Sequence, residues 1–321
     1  MEKSLSQAVV ALFIGTLLTP FISGCGGHLV NNPAVAYSYL VSGDPQIVSH
    51  WSMNETTGTT VADTKGQNPA TVYAGSSAPG LQLGVAGPLF GWTNYAISFT
   101  PNSQTSAPPQ SLVDTGALVV PFSESMKLTD ALSMEVWMTA PATQTSYAKV
   151  MWMGVNSPTY AQGPWGYEFD QTTGLFLFHL ALDTQGDGIA RDMKAVMTVP
   201  IADGHWHHVV SVFDSTAATL SECIRVYVDG KRDNLSFKYF NYLGPGGMGP
   251  FPLNPTDPCA GSIIPASMYD GTHGLVFGAA WNGGNLQQFF NGTFGNMAFY
   301  KGPLSDEQVL NHYNQGVQGH P

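Results

Sequence analysis

The chain has 321 residues, 10 % charged and 43 % hydrophobic, with 36 glycines and 22 prolines. Few Lys and Glu beside many Gly, Pro, Thr and Ser argue against a helical protein, and the length suits one large all-β domain. A formal charge of −11 sets the chain against nucleic acid, whose phosphates need a basic partner, but not against neutral glycans or cations.

The N-terminus reads as a targeting segment. Lys3 precedes an apolar stretch over residues 8–22, which is short for a membrane span. It ends in Ile22-Ser23-Gly24-Cys25, which resembles a bacterial lipobox. That resemblance implies a signal peptide over residues 1–24 and lipid on Cys25. A small, polar tether over residues 25–45 is then expected to reach from the membrane to the domain. Gly26 after the Cys favours the outer membrane or cell surface.

From residue 46 the chain reads as a succession of short strands. They are expected near residues 47–53, 95–99, 117–122, 132–138, 149–153, 166–169, 174–182 and 193–199. Two neighbouring strands follow, one in Trp206-His207-His208-Val209-Val210 and one in Ile224-Arg225-Val226-Tyr227-Val228, the latter running into the Asp229-Gly230 turn. Residues 275–278 and 290–300 complete the set. Ser305 can cap a short helix, with Asp306 and Glu307 in its first turn. Many short strands with turn residues between them argue a two-sheet antiparallel sandwich. Two insertions stand apart as loops: residues 101–115, and residues 235–273 with Tyr242 among their aromatic residues.

Three groups of residues resemble one family. They are Gly204-His205-Trp206-His207-His208-Val209 with Tyr227-Val228-Asp229-Gly230; Asn54-Glu55-Thr56-Thr57-Gly58 with Asp63; and Leu304-Ser305-Asp306-Glu307-Gln308-Val309 after the last strand. Trp137 occupies a matching place in its strand. The pattern resembles laminin-G-like domains of the concanavalin A-like lectin/glucanase group, from about residue 47 to 316. The resemblance implies a jelly-roll β-sandwich over residues 46–316, with residues 317–321 as a tail. The group holds mostly binding modules and a minority of enzymes.

Cys223 and Cys259 remain if Cys25 carries lipid. In an exported protein the pair suggests a disulfide; two free thiols are the alternative. Glycanases of this fold carry a Glu-x-Asp-x-(x)-Glu strand, and retaining chemistry needs two closely spaced carboxyls. Glu168-Phe169-Asp170 supplies the first two acids and lacks the last, so the segment reads as an ordinary strand entering a turn. His205, His207 and His208 lack zinc-type companions and read as structural. Calcium is the more plausible ion, through loop oxygens. By resemblance Asp63 would contribute to it; Asn296 stands where an acid is usual, keeping an oxygen without the charge. Residues 183–188 look like part of a calcium loop, though a turn is the simpler identity.

A glycan site needs an apolar platform ringed by polar groups. Trp281 with Asn282 and Asn285 reads as an indole beside two amides on a flexible loop. Trp165 on a Gly-Pro turn and Tyr242 are further platforms. The resulting expectation is a lipid-anchored, non-catalytic surface module that binds carbohydrate or a surface protein. The alternatives are a glycan-cleaving hydrolase and a self-assembling surface protein.

Overall fold

The computed structural model describes residues 32–74, 80–89, 94–101, 116–142, 144, 148–155, 163–170, 173–186, 188, 190–240, 259, 261–282 and 284–318. Cys25 and Tyr242, together with most of the 101–115 insertion, lie outside the described residues.

In chain order the first elements are α1 (Pro33–Ser42), β1 (Ile47–Trp51), β2 (Thr60–Val61), β3 (Ala70–Ala74), β4 (Leu81–Ala86), β5 (Tyr95–Phe99) and β6 (Gly116–Val120). The middle of the chain supplies β7 (Ala131–Thr139), β8 (Lys149–Met153), β9 (Trp165–Phe169), β10 (Phe176–Leu182), β11 (Arg191–Val196) and β12 (His207–Asp214). Then come α2 (Leu220–Cys223), β13 (Ile224–Val228), β14 (Lys231–Arg232), β15 (Ser236–Phe240), β16 (Leu275–Phe277), β17 (Ala280–Asn282), β18 (Asn285–Gln287), β19 (Gly292–Tyr300) and α3 (Asp306–Val317).

Two antiparallel sheets face one another, as the strand spacing predicts. One runs β14-β13-β12-β7-β19-β5-β4, with β1 also on β19; the other runs β15-β11-β10-β9-β8-β16-β6-β3-β2. Period-2 alternation decides which side chains enter the space between them. From β7, Leu132, Met134, Val136 and Met138 point inward; from β9, Trp165, Tyr167 and Phe169; from β10, Phe176, Phe178 and Leu180. The β12–β13 pairing matches Val209 with Val228, and Asp229-Gly230 turns the chain into β14 with both residues at positive φ, as a tight hairpin turn requires.

The first sheet is buried on its outer side as well. There α1 and α3 pack on one another and over the sheet, enclosing Tyr37, Val41, Trp137, Val210, Tyr300 and Val309. Ser305 caps α3 in a reciprocal box with Gln308, fulfilling the expected N-terminus.

The stretch expected as a tether therefore needs correction. Asn32 caps α1 through its side chain and Pro33 opens it, and the helix docks by burying Tyr37 and Val41. The 235–273 insertion is also not all loop: β15 pairs along β11 from Ser236 to Phe240 and forms a sheet edge. Residues 280–287 form a paired hairpin rather than a flexible loop. Cys223 and Cys259 are joined by a disulfide, with Cα atoms 5.9 Å apart.

Candidate functional site

The alternation that sends Tyr167 and Phe169 inward sends Glu168 to the outer face of the second sheet. There it meets the ammonium groups of Lys149 on β8 and Lys194 on β11, and all three side chains are buried. Lys149 also lies 3.8 Å over the Trp152 ring. Trp152 in turn stacks on His179, whose Nδ1 is 2.7 Å from Asp192. Burial alone would raise the Glu168 pKa, but the two lysines outweigh it and hold the carboxyl down at about 2. Such a group stays ionised and has no proton to give a leaving group. Asp170 faces Lys238 at 2.8 Å and accepts from Thr173. Both acids of the glycanase-like segment thus hold structure.

A second buried carboxylate, Glu135, sits on the outer face of β7 beneath α1 and α3. It accepts hydrogen bonds from Tyr37 at 2.5 Å, His208 at 2.8 Å, Tyr300 at 2.6 Å and His312 at 2.9 Å. Burial pushes its pKa up, and the neighbouring His312 and His208 more than offset this, holding it well below the usual carboxylate range. His207 is likewise structural, as expected: its Nδ1 contacts Asp229 at 2.8 Å and its Nε2 contacts Asp203 at 3.2 Å.

Asp63 and Asn296 both come to His50. Asp63 accepts four backbone N–H groups, from His50, Lys65, Gln67 and Asn68 at 2.9–3.1 Å. Asn296 sits in the bulge of β19 at φ 52° and accepts from His50 Nε2 at 3.2 Å. Among the described residues no three His, Cys, Asp or Glu side chains are placed to share an ion. Asp183 closes a turn on the N–H groups of Gln185, Gly186 and Gly188, the simpler identity for that segment.

Trp165 does not present itself on a turn. It opens β9, is fully buried, stacks on Phe299 at 4.8 Å and donates to the Tyr269 hydroxyl at 3.2 Å. A β-strand beginning at residue 165 puts this indole on the inner face, and the burial of an aromatic ring outweighs exposure. Trp281 differs. It lies on the β17–β18 hairpin, half-buried against a patch of Val119, Val276, Leu286 and Phe289. Its ring is 5.6 Å from His273 at 57°, and His273 Nδ1 is held by Asp270 at 2.6 Å. Asn282 donates to Gln287 at 3.0 Å across the hairpin, and Asn285, opposite Asn282 in the ladder, is exposed. Alternation puts Trp281 on one face of the hairpin with Leu286, and Asn282, Asn285 and Gln287 on the other. His273 and Asp270 were not foreseen, because eight or more residues separate them from Trp281.

A shallow cavity of about 290 Å³ lies elsewhere, between β13 and β15, lined by Ile224, Arg232, Asp233, Asn234 and Phe237. Its charges are engaged: Arg232 with Glu222, and Asp233 with Thr198.

Residues 113–246 match a laminin-G family model described as the concanavalin A-like lectin/glucanases superfamily. No curated protein matches the sequence. Among solved structures the fold is similar to the binding domain of Botulinum neurotoxin DC in complex with rat synaptotagmin II, at 10 % identity and TM-score 0.46, over 84 % of this chain and 51 % of that one. It is similar to a Trypanosoma rangeli sialidase at 13 % and 0.47, over 86 % of this chain and 33 % of that one. It is also similar to domain 4 of an extracellular arabinanase from Geobacillus stearothermophilus in complex with arabinotriose, at 14 % and 0.44, over 84 % and 98 %. This chain spans about half the length of the neurotoxin chain and a third of the sialidase. At these identities and TM-scores the likeness carries no argument about this chain.

Proposed function

Given a concanavalin A-like, laminin-G-type domain over residues 113–246, we propose that the protein is an exported binding module that holds a glycan against the β17–β18 hairpin without cleaving it. The observation that carries the reading is the half-buried indole of Trp281, fixed on a rigid hairpin beside His273, whose imidazole is held by Asp270. A pyranose offers a C–H face that stacks on such a ring and hydroxyls that an imidazole and a carboxylate can bond. The hairpin ladder and the Asp270–His273 contact pre-order these groups, so little side-chain entropy is lost on binding. Lipid on Cys25 would hold the domain at a membrane or cell surface, and the Cys223–Cys259 bond suits an oxidising compartment. A calcium ion at Asp63 would have to displace the four N–H groups that carboxylate accepts.

The test is a broad glycan array probed with and without a chelator. Selective binding lost in Trp281→Ala supports the reading, and chelator sensitivity would bring in the ion. Absence of binding in both conditions, or binding untouched by Trp281→Ala, sinks it.

A further inference from the structure

Ser42 closes α1, and its hydroxyl lies 2.8 Å from His50 Nδ1. On the other side of the ring, His50 Nε2 is 3.2 Å from the carbonyl oxygen of Asn296. An amide oxygen only accepts, so Nε2 carries the proton and Nδ1 is left as an acceptor for the serine O–H. Neighbouring elements α1 and β1 supply two of the groups, and the bulge of β19, 246 residues beyond His50, supplies the third. Asn296 is one of four non-glycine residues at positive φ among the described residues, and it sits where the β19–β7 register slips. Bulges of this kind re-aim a side chain, and a strained non-glycine residue persists only where its surroundings enforce it. His50 is fully buried, whereas Ser42 is half-buried and Thr64 exposed beside it.

We infer that Ser42 is a nucleophile, with His50 as its general base and Asn296 as the residue that positions the imidazole, acting on small acyl esters. The geometry is that of a hydroxyl, a base in hydrogen-bond reach and a third group orienting the base. Burial disfavours the imidazolium and lowers the His50 pKa, which keeps Nδ1 free to receive a proton. Ser42 stands at the C-terminal end of a helix, where a free alkoxide is disfavoured. The proton therefore leaves for Nδ1 as the new bond forms. Ser42 Oγ attacks the ester carbonyl, and the C–O bond to the alcohol breaks. His50 returns the proton to the departing alcohol. Water then attacks the acyl-serine and gives a proton to Nδ1; as the acyl C–O bond breaks and the acid leaves, His50 passes that proton to Ser42 Oγ, restoring both. The Thr64 hydroxyl, 3.2 Å from Ser42 Oγ, and the Lys65 ammonium, 3.4 Å from the Ser42 carbonyl oxygen, are the donors nearest the developing charge. Thr64 also approaches His50 Nδ1 at 3.4 Å, farther than Ser42 does. This activity does not depend on the glycan reading, because it uses α1 and the first sheet, whereas the β17–β18 hairpin packs on β6 and β16 of the second sheet.

The test is to treat the full chain with a fluorophosphonate probe, in which the serine oxygen displaces fluoride, and to map the adduct by mass spectrometry. The expected result is an adduct on Ser42, together with slow hydrolysis of p-nitrophenyl acetate. Ser42→Ala loses both. Asn296→Gly, which suits the positive φ, lowers the labelling rate by about tenfold or more. Asn296→Asp, which keeps the acceptor, restores it. No adduct on Ser42, or ester hydrolysis unchanged in Ser42→Ala, overturns the proposal. Full-rate labelling in a folded Asn296→Gly variant overturns the role given to Asn296.

Discussion

Removing the Glu135 carboxylate would leave two hydroxyls and two imidazoles without an acceptor in a site closed to solvent. Breaking one side of such a buried charged network costs about 3–5 kcal/mol, so Glu135→Ala is expected to lower the unfolding free energy by that amount in a urea titration. The network also sets a pH window. Glu135 has its pKa depressed in the folded state, so its contribution is present above about pH 4 and is lost as pH falls through the folded value. His312 is moved the other way: burial lowers its pKa, but Glu135 raises it further, so the net folded value is raised. Its contribution is complete below about pH 6.5 and fades as pH rises through the folded value. Thermal stability should therefore peak between about pH 4.5 and 6.5, and Glu135→Gln should flatten both limbs. Alternation along residues 132–138 already places Glu135 on the face away from Met134 and Val136. Its partners were not legible, because they lie 73 to 177 residues away in the chain.

At the scale of elements, the strands with clean alternation were read close to their true limits: β5 and β8 coincide with the expected spans, and β7 differs by one residue at each end. Among the elements that escaped are β3 and β4, the helix α1, and strands set among loops. Residues 33–42 hold no charged side chain to mark a helix end, and α1 owes its place to packing against α3 and the sheet. The Gly- and Pro-rich surroundings of β15 and the β17–β18 hairpin mimic loops, and only their ladders show them to be strands. A chain started at Gln46 loses the buried Tyr37 and Val41 and one donor to Glu135. It should be less stable than the full chain by about 2 kcal/mol or more, measured by denaturant midpoint. The Cys223–Cys259 bond closes a 36-residue separation, for which chain-entropy arguments give about 4 kcal/mol. Cys223→Ser should lower the unfolding free energy by up to that amount, and a reductant should have the same effect on the parent protein.

Across the whole molecule, ionisable groups and binding groups divide between different places. The buried acids Glu135 and Glu168 and the turn acids Asp63 and Asp183 each face several donors within the fold. Trp281 and His273 instead stand half-buried at the surface. Trp281→Ala is expected to abolish glycan capture in a variant that stays folded by circular dichroism, with a lowered melting temperature for the packing lost against Val119, Val276, Leu286 and Phe289. Light scattering over a range of concentrations tests the self-assembly alternative, which requires the mass to rise with concentration. The sandwich was legible as a class because strand period and turn chemistry are local. The site was legible only in part: Trp281, Asn282 and Asn285 are near neighbours in the chain, whereas His273, Asp270 and the pairing that fixes them are products of the fold.

The packing of α1 on α3 has one more consequence. The first and last described elements lie side by side, so the order in which the chain visits its strands is separable from the shape they make. A permuted chain, with residue 318 joined to residue 32 by a glycine-serine linker and new ends opened between Thr57 and Gly58 on an exposed bend, should reach the same circular dichroism spectrum and the same ligand profile. In such a chain the sandwich, its disulfide and its hairpin keep their places although the connectivity visits them in another order.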